Sequence, residues 1–213
     1  MLTVDFEYFD LQPGHVCVDL GCGEGRHSLT AYLQEHVTVI GLDLSHQDLK
    51  TAQSRIADMA SYNPKGSVYF AQANGLSLPL ADNSIDRLIC SEVLEHIPNY
   101  IGFLEEIDRV LKPDGRLCIS VPRSWPERVC WSLCDAYRRT PGGHIRIFNA
   151  SHLSREVERY ALAEARRHGE RWAVVAAERQ LLHRMKSFGR AHTKTPRTSA
   201  KKNGSVLVSV LVS

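Results

Sequence analysis

No run in this 213-residue chain approaches the ~18 consecutive apolar residues a membrane-spanning helix needs, which excludes a helical span. The opening Met1-Leu2-Thr3-Val4-Asp5-Phe6-Glu7 has neither a basic stretch nor an apolar one of signal-peptide type, so a cytosolic location is expected. Cysteines number six, without a second pair or a His cluster at ligand spacing to accompany Cys130 and Cys134. No zinc site, no other metal and no disulfide are therefore expected. Cys17, Cys90 and Cys118 fall inside apolar runs and read as buried thiols. Acidic residues are missing altogether from 179–213, a segment with eight Lys/Arg. Residues 1–178 hold 18 basic and 24 acidic residues, so a body near −6 carries a tail near +8. Solvated disorder of the stretch from Arg190 to Lys202 is the simplest reading, with contact to an anionic partner as the alternative.

What is present is an ordinary globular composition, 43% hydrophobic and 23% charged, in a length suited to one domain. Short apolar runs alternate with amphipathic stretches of helical length, the pattern of βαβ units. Strands are expected at Val16–Leu20, Val37–Leu42, Val68–Gln72, Arg87–Cys90 and Leu117–Val121. Helices are expected over 26–35, over 46–60 behind an N-cap at Ser45, and over 100–111, where Lys112-Pro113-Asp114-Gly115 supplies a stop and a turn. Asp114 suits a left-handed turn position. Beyond Pro122, helices over 127–137 and 151–167 and strands at 172–176 and 206–212 are expected, the stretch 172–176 suiting a helix equally well. The fold class is α/β: a Rossmann-like, doubly wound, mostly parallel sheet with helices on both faces. Residues 1–178 form the domain, and 179–213 form a basic, atypical C-terminal segment.

Asp19-Leu20-Gly21-Cys22-Gly23-Glu24-Gly25 closes the first strand, and its three glycines let the backbone turn sharply and approach a ligand. Asp43 follows the second strand, 18 residues after Gly25, where nucleotide-binding α/β folds place an acid that accepts from ribose hydroxyls. The glycine spacing is Gly-x-Gly-x-Gly, not the Gly-x-Gly-x-x-Gly of nicotinamide-dependent dehydrogenases, which argues against that class.

Together with Gly41-Leu42-Asp43-Leu44-Ser45, the stretch from Ala73-Asn74-Gly75-Leu76 to Asp86, Ser91-Glu92-Val93-Leu94-Glu95-His96-Ile97 and Leu111-Lys112-Pro113-Asp114-Gly115, the first motif resembles the class I S-adenosylmethionine methyltransferases. The resemblance is to the small-molecule branch that includes ubiquinone and menaquinone biosynthesis enzymes, and it covers about residues 14–122. It implies S-adenosylmethionine as cofactor, S-adenosylhomocysteine as product and a small-molecule acceptor. By resemblance, Gly21, Gly23 and Gly25 wrap the methionine part, with Asp19 reaching its amino group. Asp43 and Leu44 meet the ribose, Asn74, Gly75 and Leu76 meet the adenine, and Ser91 with Glu92 line the pocket near the methyl. Asn74 stands where the family usually has Asp, so its amide oxygen would accept without charge. His144 and His96 are the candidate catalytic groups, though His96 also suits a framework role.

Two other readings stay open at this point. The first motif is reached by residue 19 and the last 45 residues depart from the family's closing strands, which suits a cofactor-binding or partner protein without turnover. The basic tail suits an RNA-directed methyltransferase, although no nucleic-acid motif accompanies it.

Overall fold

In the computed structural model, residues 3–122, 124–133 and 143–148 are described, with 153, 155 and 157 and the strands at 173–178 and 207–212. The elements run α1 (Phe6–Phe9), β1 (Val16–Leu20), α2 (Arg26–Tyr32), β2 (Thr38–Asp43), α3 (His46–Ser54), β3 (Ser67–Gln72) and β4 (Ile85–Ser91). They continue with α4 (Tyr100–Val110), β5 (Leu111–Val121), α5 (Ser124–Leu133), β6 (Ala173–Glu178) and β7 (Leu207–Val212). The seven strands form one sheet in the order β3-β2-β1-β4-β5-β7-β6, and every ladder is parallel.

Parallel sheets are covered on both faces, so their strands must be apolar on both. β1 and β4 obey this: Val18, Leu88 and Cys90 face a core shared with Phe103, Leu104 and Ile107 of α4. Cys17 and Ile89 face the opposite core, with Phe9 of α1 and Ala31 of α2. Chain order runs outward from β1 to β3 on one side and from β4 to β5 on the other, so the winding reverses between β1 and β4. Ligands of open α/β sheets bind beyond the strand carboxyl ends at such a reversal.

Most expected elements are present, and the differences have local causes. Ser45 caps α3 as expected, its Oγ accepting from the Asp48 amide at 3.2 Å. The helix ends at Ser54, however, and residues 55–62 tighten into a 3-10 turn with no buried side chain. Ile56 and Met59 keep helical spacing but find no core to hold it. Lys112-Pro113-Asp114-Gly115 does not separate α4 from β5. Leu111 already pairs with Ile85, and the register shifts before Arg87 pairs with Arg116, so these residues form an irregularity within β5. Lys112 ties it down through an ion pair with Asp86 at 2.7 Å. Asp114 is not among the non-glycine residues with left-handed backbone, which among the described residues are Asp10, His36, Asn63, Asn83 and Glu92.

α5 begins at Ser124, three residues earlier than expected, and is described to Leu133. The expected last strand is present as β7, between β5 and β6. Most of the expected helix over 151–167, Cys134 and the stretch from Arg190 to Lys202 lie outside the described residues. Cys17, Cys22, Cys90 and Cys118 are buried free thiols, and Cys130 is an exposed one. No helix of the described residues is long and apolar enough to cross a membrane.

Candidate functional site

The turn after β1 is built by main chain. Gly21 and Cys22 both donate their amides to the Leu42 carbonyl, at 2.7 and 3.0 Å, which ties the turn to the end of β2. Gly21, Gly23 and Gly25 have φ of +75°, +50° and +80°, a region glycine enters without strain. Their surroundings differ. A Cβ on Gly21 would lie 2.3 Å from Val93 Cγ2 and one on Gly25 2.9 Å from Ala52 Cβ, whereas one on Gly23 would meet nothing within 4 Å. Gly21 and Gly25 therefore seat the turn on its neighbours, and Gly23 presents its face to open space.

Two carboxylates support this turn in different ways. Asp43 accepts from the Gly23 amide through Oδ2 at 2.7 Å and from the Ser45 amide through Oδ1 at 2.8 Å. Each carboxylate oxygen has a second lone pair, so the partly exposed Asp43 keeps capacity for two hydroxyl donors. Asp19 lies beneath the turn at 1% exposure and accepts from Ser28 Oγ at 2.6 Å. Burial pushes its carboxyl up to about 6, against the lowering effect of the Ser28 hydrogen bonds.

Leu44 and Leu76 stand at the ends of neighbouring strands β2 and β3 and stay 62% and 40% exposed. Exposed large apolar side chains beside a glycine turn suit the faces of a flat ligand. Between them, Asn74 Oδ1 accepts from the Leu76 amide at 3.0 Å. The expected oxygen of Asn74 is thus engaged in a local turn, and one lone pair remains for a ligand. Gly75 is demanded by packing, since a Cβ there would sit 2.2 Å from Phe103 Cε2.

Past β4 the site changes character. Ser91 Oγ is within hydrogen-bond distance of Thr3 Oγ1 (2.7 Å) and Ser120 Oγ (2.8 Å). Thr3 also meets His27 Nε2 at 3.0 Å, and Ser120 reaches Glu92 Oε1 at 3.2 Å. Burial lowers His27 to about 4, so the network holds a neutral imidazole at neutral pH. Ser91 and Glu92 were expected here. Thr3, His27 and Ser120 were not, because they are separated from Ser91 by up to 88 residues of chain and carry no local signal.

One turn further on, Glu95 is 1% exposed. Its Oε1 lies 3.9 Å from His96 Nε2 and 3.9 Å from His144 Nε2. The two imidazoles pack edge-to-face with centroids 4.8 Å apart. Two backbone ties hold the segment carrying His144 against this turn. His96 Nδ1 meets the Gly143 carbonyl at 3.2 Å, and Ile145 donates its amide to the Glu95 carbonyl at 2.9 Å. Arg146 points away, stacking on Tyr100 at 4.5 Å and donating to the Pro98 carbonyl. The two histidines singled out separately in the sequence are brought together, and His96 also contacts the Gly143 carbonyl. Glu95 was read only as part of its motif, because sequence does not distinguish a buried acid from a solvated one.

Residues 18–119 match the family model described as "Methyltransferase domain". The methyltransferase GfsG of Streptomyces halstedii is 34% identical over 115 residues, 54% of this chain and 40% of that protein. A demethylmenaquinone methyltransferase of Lactococcus lactis is 38% identical over 107 residues, 48% of this chain and 40% of its own. A 2-phytyl-1,4-naphtoquinone methyltransferase of Nostoc is 34% identical over 110 residues, covering 51% and 47%. The chain thus spans less than half the length of these curated relatives. The crystal structure of the YcgJ protein of Bacillus subtilis shares the fold at a TM-score of 0.58 and 24% identity, over 73% of this chain and 65% of that one.

Proposed function

We propose, from the match of residues 18–119 to the family model described as "Methyltransferase domain", that this chain is a class I S-adenosylmethionine-dependent methyltransferase that transfers a methyl group from S-adenosylmethionine to a small-molecule acceptor. The observation that carries the cofactor half is the glycine turn closed by Asp43: an open face at Gly23, flanked by a carboxylate with spare lone pairs and by exposed Leu44 and Leu76. These residues fit the cofactor. Gly21, Gly23 and Gly25 would follow its methionine part with Asp19 beneath. Asp43 would hold the ribose, and Leu44, Asn74, Gly75 and Leu76 would enclose the adenine. Ser91 and Glu92 would line the pocket next to the methyl.

When bound, the sulfonium supplies an electrophilic methyl group, and the protein's tasks are orientation and exclusion of water. The hydroxyls of buried Ser91 and Ser120, with part-buried Thr3, tie the end of β4 to β5 beneath the cofactor edge. On the far side of Glu92, the Glu95–His96–His144 cluster is the group that would meet the acceptor and lower its hold on a proton. The quinone-related names among the relatives support an aromatic hydroxyl or ring-carbon acceptor. We place the activity in the cytosol, which the free thiols support.

Calorimetry tests the cofactor half. S-adenosylmethionine and S-adenosylhomocysteine should bind and NAD should not; tight NAD binding with no response to either adenosyl ligand would overturn the reading. Turnover with a panel of phenols, carboxylic acids and amines, followed as S-adenosylhomocysteine formed, tests the other half. Cofactor binding without turnover on any of them would favour a non-catalytic binder.

A further inference from the structure

We infer that Glu95, His96 and His144 form a binding site for a divalent transition-metal ion of the zinc type. Each residue offers one ligand atom, and the three atoms lie within 4.8 Å of one another. His96 Nδ1 faces a backbone carbonyl, which can only accept, so Nδ1 carries the hydrogen and Nε2, on the Glu95 side, is the nitrogen that a neutral ring would offer to a metal. An imidazole–carboxylate hydrogen bond would close to ~3.2 Å. At 3.9 Å, both imidazole nitrogens instead stand beyond hydrogen-bond distance of the same carboxylate oxygen, about half an ångström wider than two ligands of one tetrahedral ion. Ligands of a tetrahedral ion at ~2.0–2.2 Å lie about 3.3–3.6 Å apart, so binding needs the 3.9 Å pairs to close by about half an ångström and the widest pair, within 4.8 Å, by about 1.3 Å, through rotation of the two partly exposed imidazoles.

Three further features belong to a metal site more than to a chance cluster. The carboxylate is 1% exposed, and a buried anion is stabilised by a cation that two imidazoles help to hold. The contact of His96 Nδ1 with the Gly143 carbonyl fixes that imidazole from outside, as outer contacts of metal sites do, and the main-chain bond from Ile145 to Glu95 holds the two segments together. Two nitrogens and one oxygen select zinc, cobalt or nickel over magnesium or calcium, which take oxygen ligands. Three protein ligands leave a coordination position open.

The cluster follows Glu92 directly and shares the strand-end edge of the glycine turn. Resting on the methyltransferase reading, the cluster would stand on the acceptor side, and its open position would take a hydroxyl-bearing acceptor. Coordination would lower the hydroxyl pKa, its proton passing to solvent. The oxygen would then form the new C–O bond while the C–S bond breaks and neutral S-adenosylhomocysteine leaves.

Cobalt(II) chloride titrated into the metal-free full chain tests the site. One equivalent should bind, with a d–d spectrum free of thiolate charge-transfer absorption, which separates it from cysteine binding. Glu95→Gln and His144→Ala should each weaken binding by about 100-fold or more, while Cys130→Ser should leave it unchanged. S-adenosylhomocysteine affinity and circular dichroism on the same samples show that the variants are folded. Wild type that binds no cobalt at millimolar concentration, or folded variants that bind it as wild type does, would overturn the proposal. A chain that binds cobalt but no adenosyl ligand keeps the metal site and removes the methyltransferase reading instead.

Discussion

The two sides of the strand-end crevice are made of different material. On the β1–β2 side the surface is main chain: amides of Gly21, Cys22 and Gly23 in left-handed or turning backbone, bonded to Leu42 and Asp43. On the β4 side it is side chain, with hydroxyls of Ser91, Thr3 and Ser120 and then the Glu95, His96 and His144 cluster. A main-chain surface tolerates most side-chain changes but fails when a Cβ is added, because the glycine is required by space and by φ. A side-chain surface fails when chemistry is removed. The first kind suits a ligand common to many proteins; the second suits a partner that differs between them.

The sharpest way to break this comparison is at the glycines themselves. Gly21→Ala places a methyl 2.3 Å from a stiff, branched Val93 at φ +75°, and should cost about 2–4 kcal/mol of stability in urea unfolding. Gly23→Ala meets no neighbour and should cost about 1 kcal/mol, the left-handed penalty alone. Its methyl instead occupies the open face, so S-adenosylhomocysteine affinity should fall at least tenfold, about 1.4 kcal/mol. Equal stability losses in the two variants would mean that Gly23 is also a packing position, and the main-chain side would lose its ligand-facing point.

Asp43→Ala sharpens the same side. Removing the carboxylate leaves the Gly23 and Ser45 amides and any ribose hydroxyls without a charged acceptor, and cofactor binding should weaken by about 1–3 kcal/mol. Circular dichroism should stay native. An unchanged affinity with a collapsed melting temperature would make Asp43 a structural brace of the turn and no more.

The contrast also explains what the sequence disclosed. The main-chain side was legible because its requirements are local: Gly21, Gly23 and Gly25 sit within five residues, Asp43 ends the next strand, and Ser45 caps the next helix. The side-chain side was legible only in pieces. Ser91, Glu92, His96 and His144 were each singled out, but the meeting of His96 with His144 depends on a crossing of segments 48 residues apart. Thr3, His27 and Ser120 gave no sign, since a hydroxyl or a histidine becomes part of a network only when distant strands set it there. The same lack of tertiary information extended α3 through Ile56 and Met59 and made a turn of the irregular start of β5.

Asp19 joins the two kinds of surface, and its titration gives the smallest and most specific expected effect. It is a side chain buried under the main-chain turn, with its carboxyl raised to about 6 from an ordinary 3.8. A carboxyl raised on folding contributes stability that is fully present below pH 3.8 and is lost as pH rises through about 6. At pH 8 the folded chain therefore holds a charge it would shed at lower pH. Asp19→Asn removes that charge while keeping an oxygen for Ser28 Oγ, at the cost of a buried amide with its own hydrogen-bonding needs. The net effect should be a gain on the order of 1 kcal/mol at pH 8, shrinking toward zero or reversing by pH 5. Cofactor affinity should move the other way, because a ligand ammonium above the turn loses its carboxylate. Thermal melts at pH 5 and pH 8 with S-adenosylhomocysteine titrations in parallel make the check. A variant equally destabilised at both pH values would show that the Ser28 contact outweighs the buried charge, and that Asp19 belongs to the frame of the turn alone.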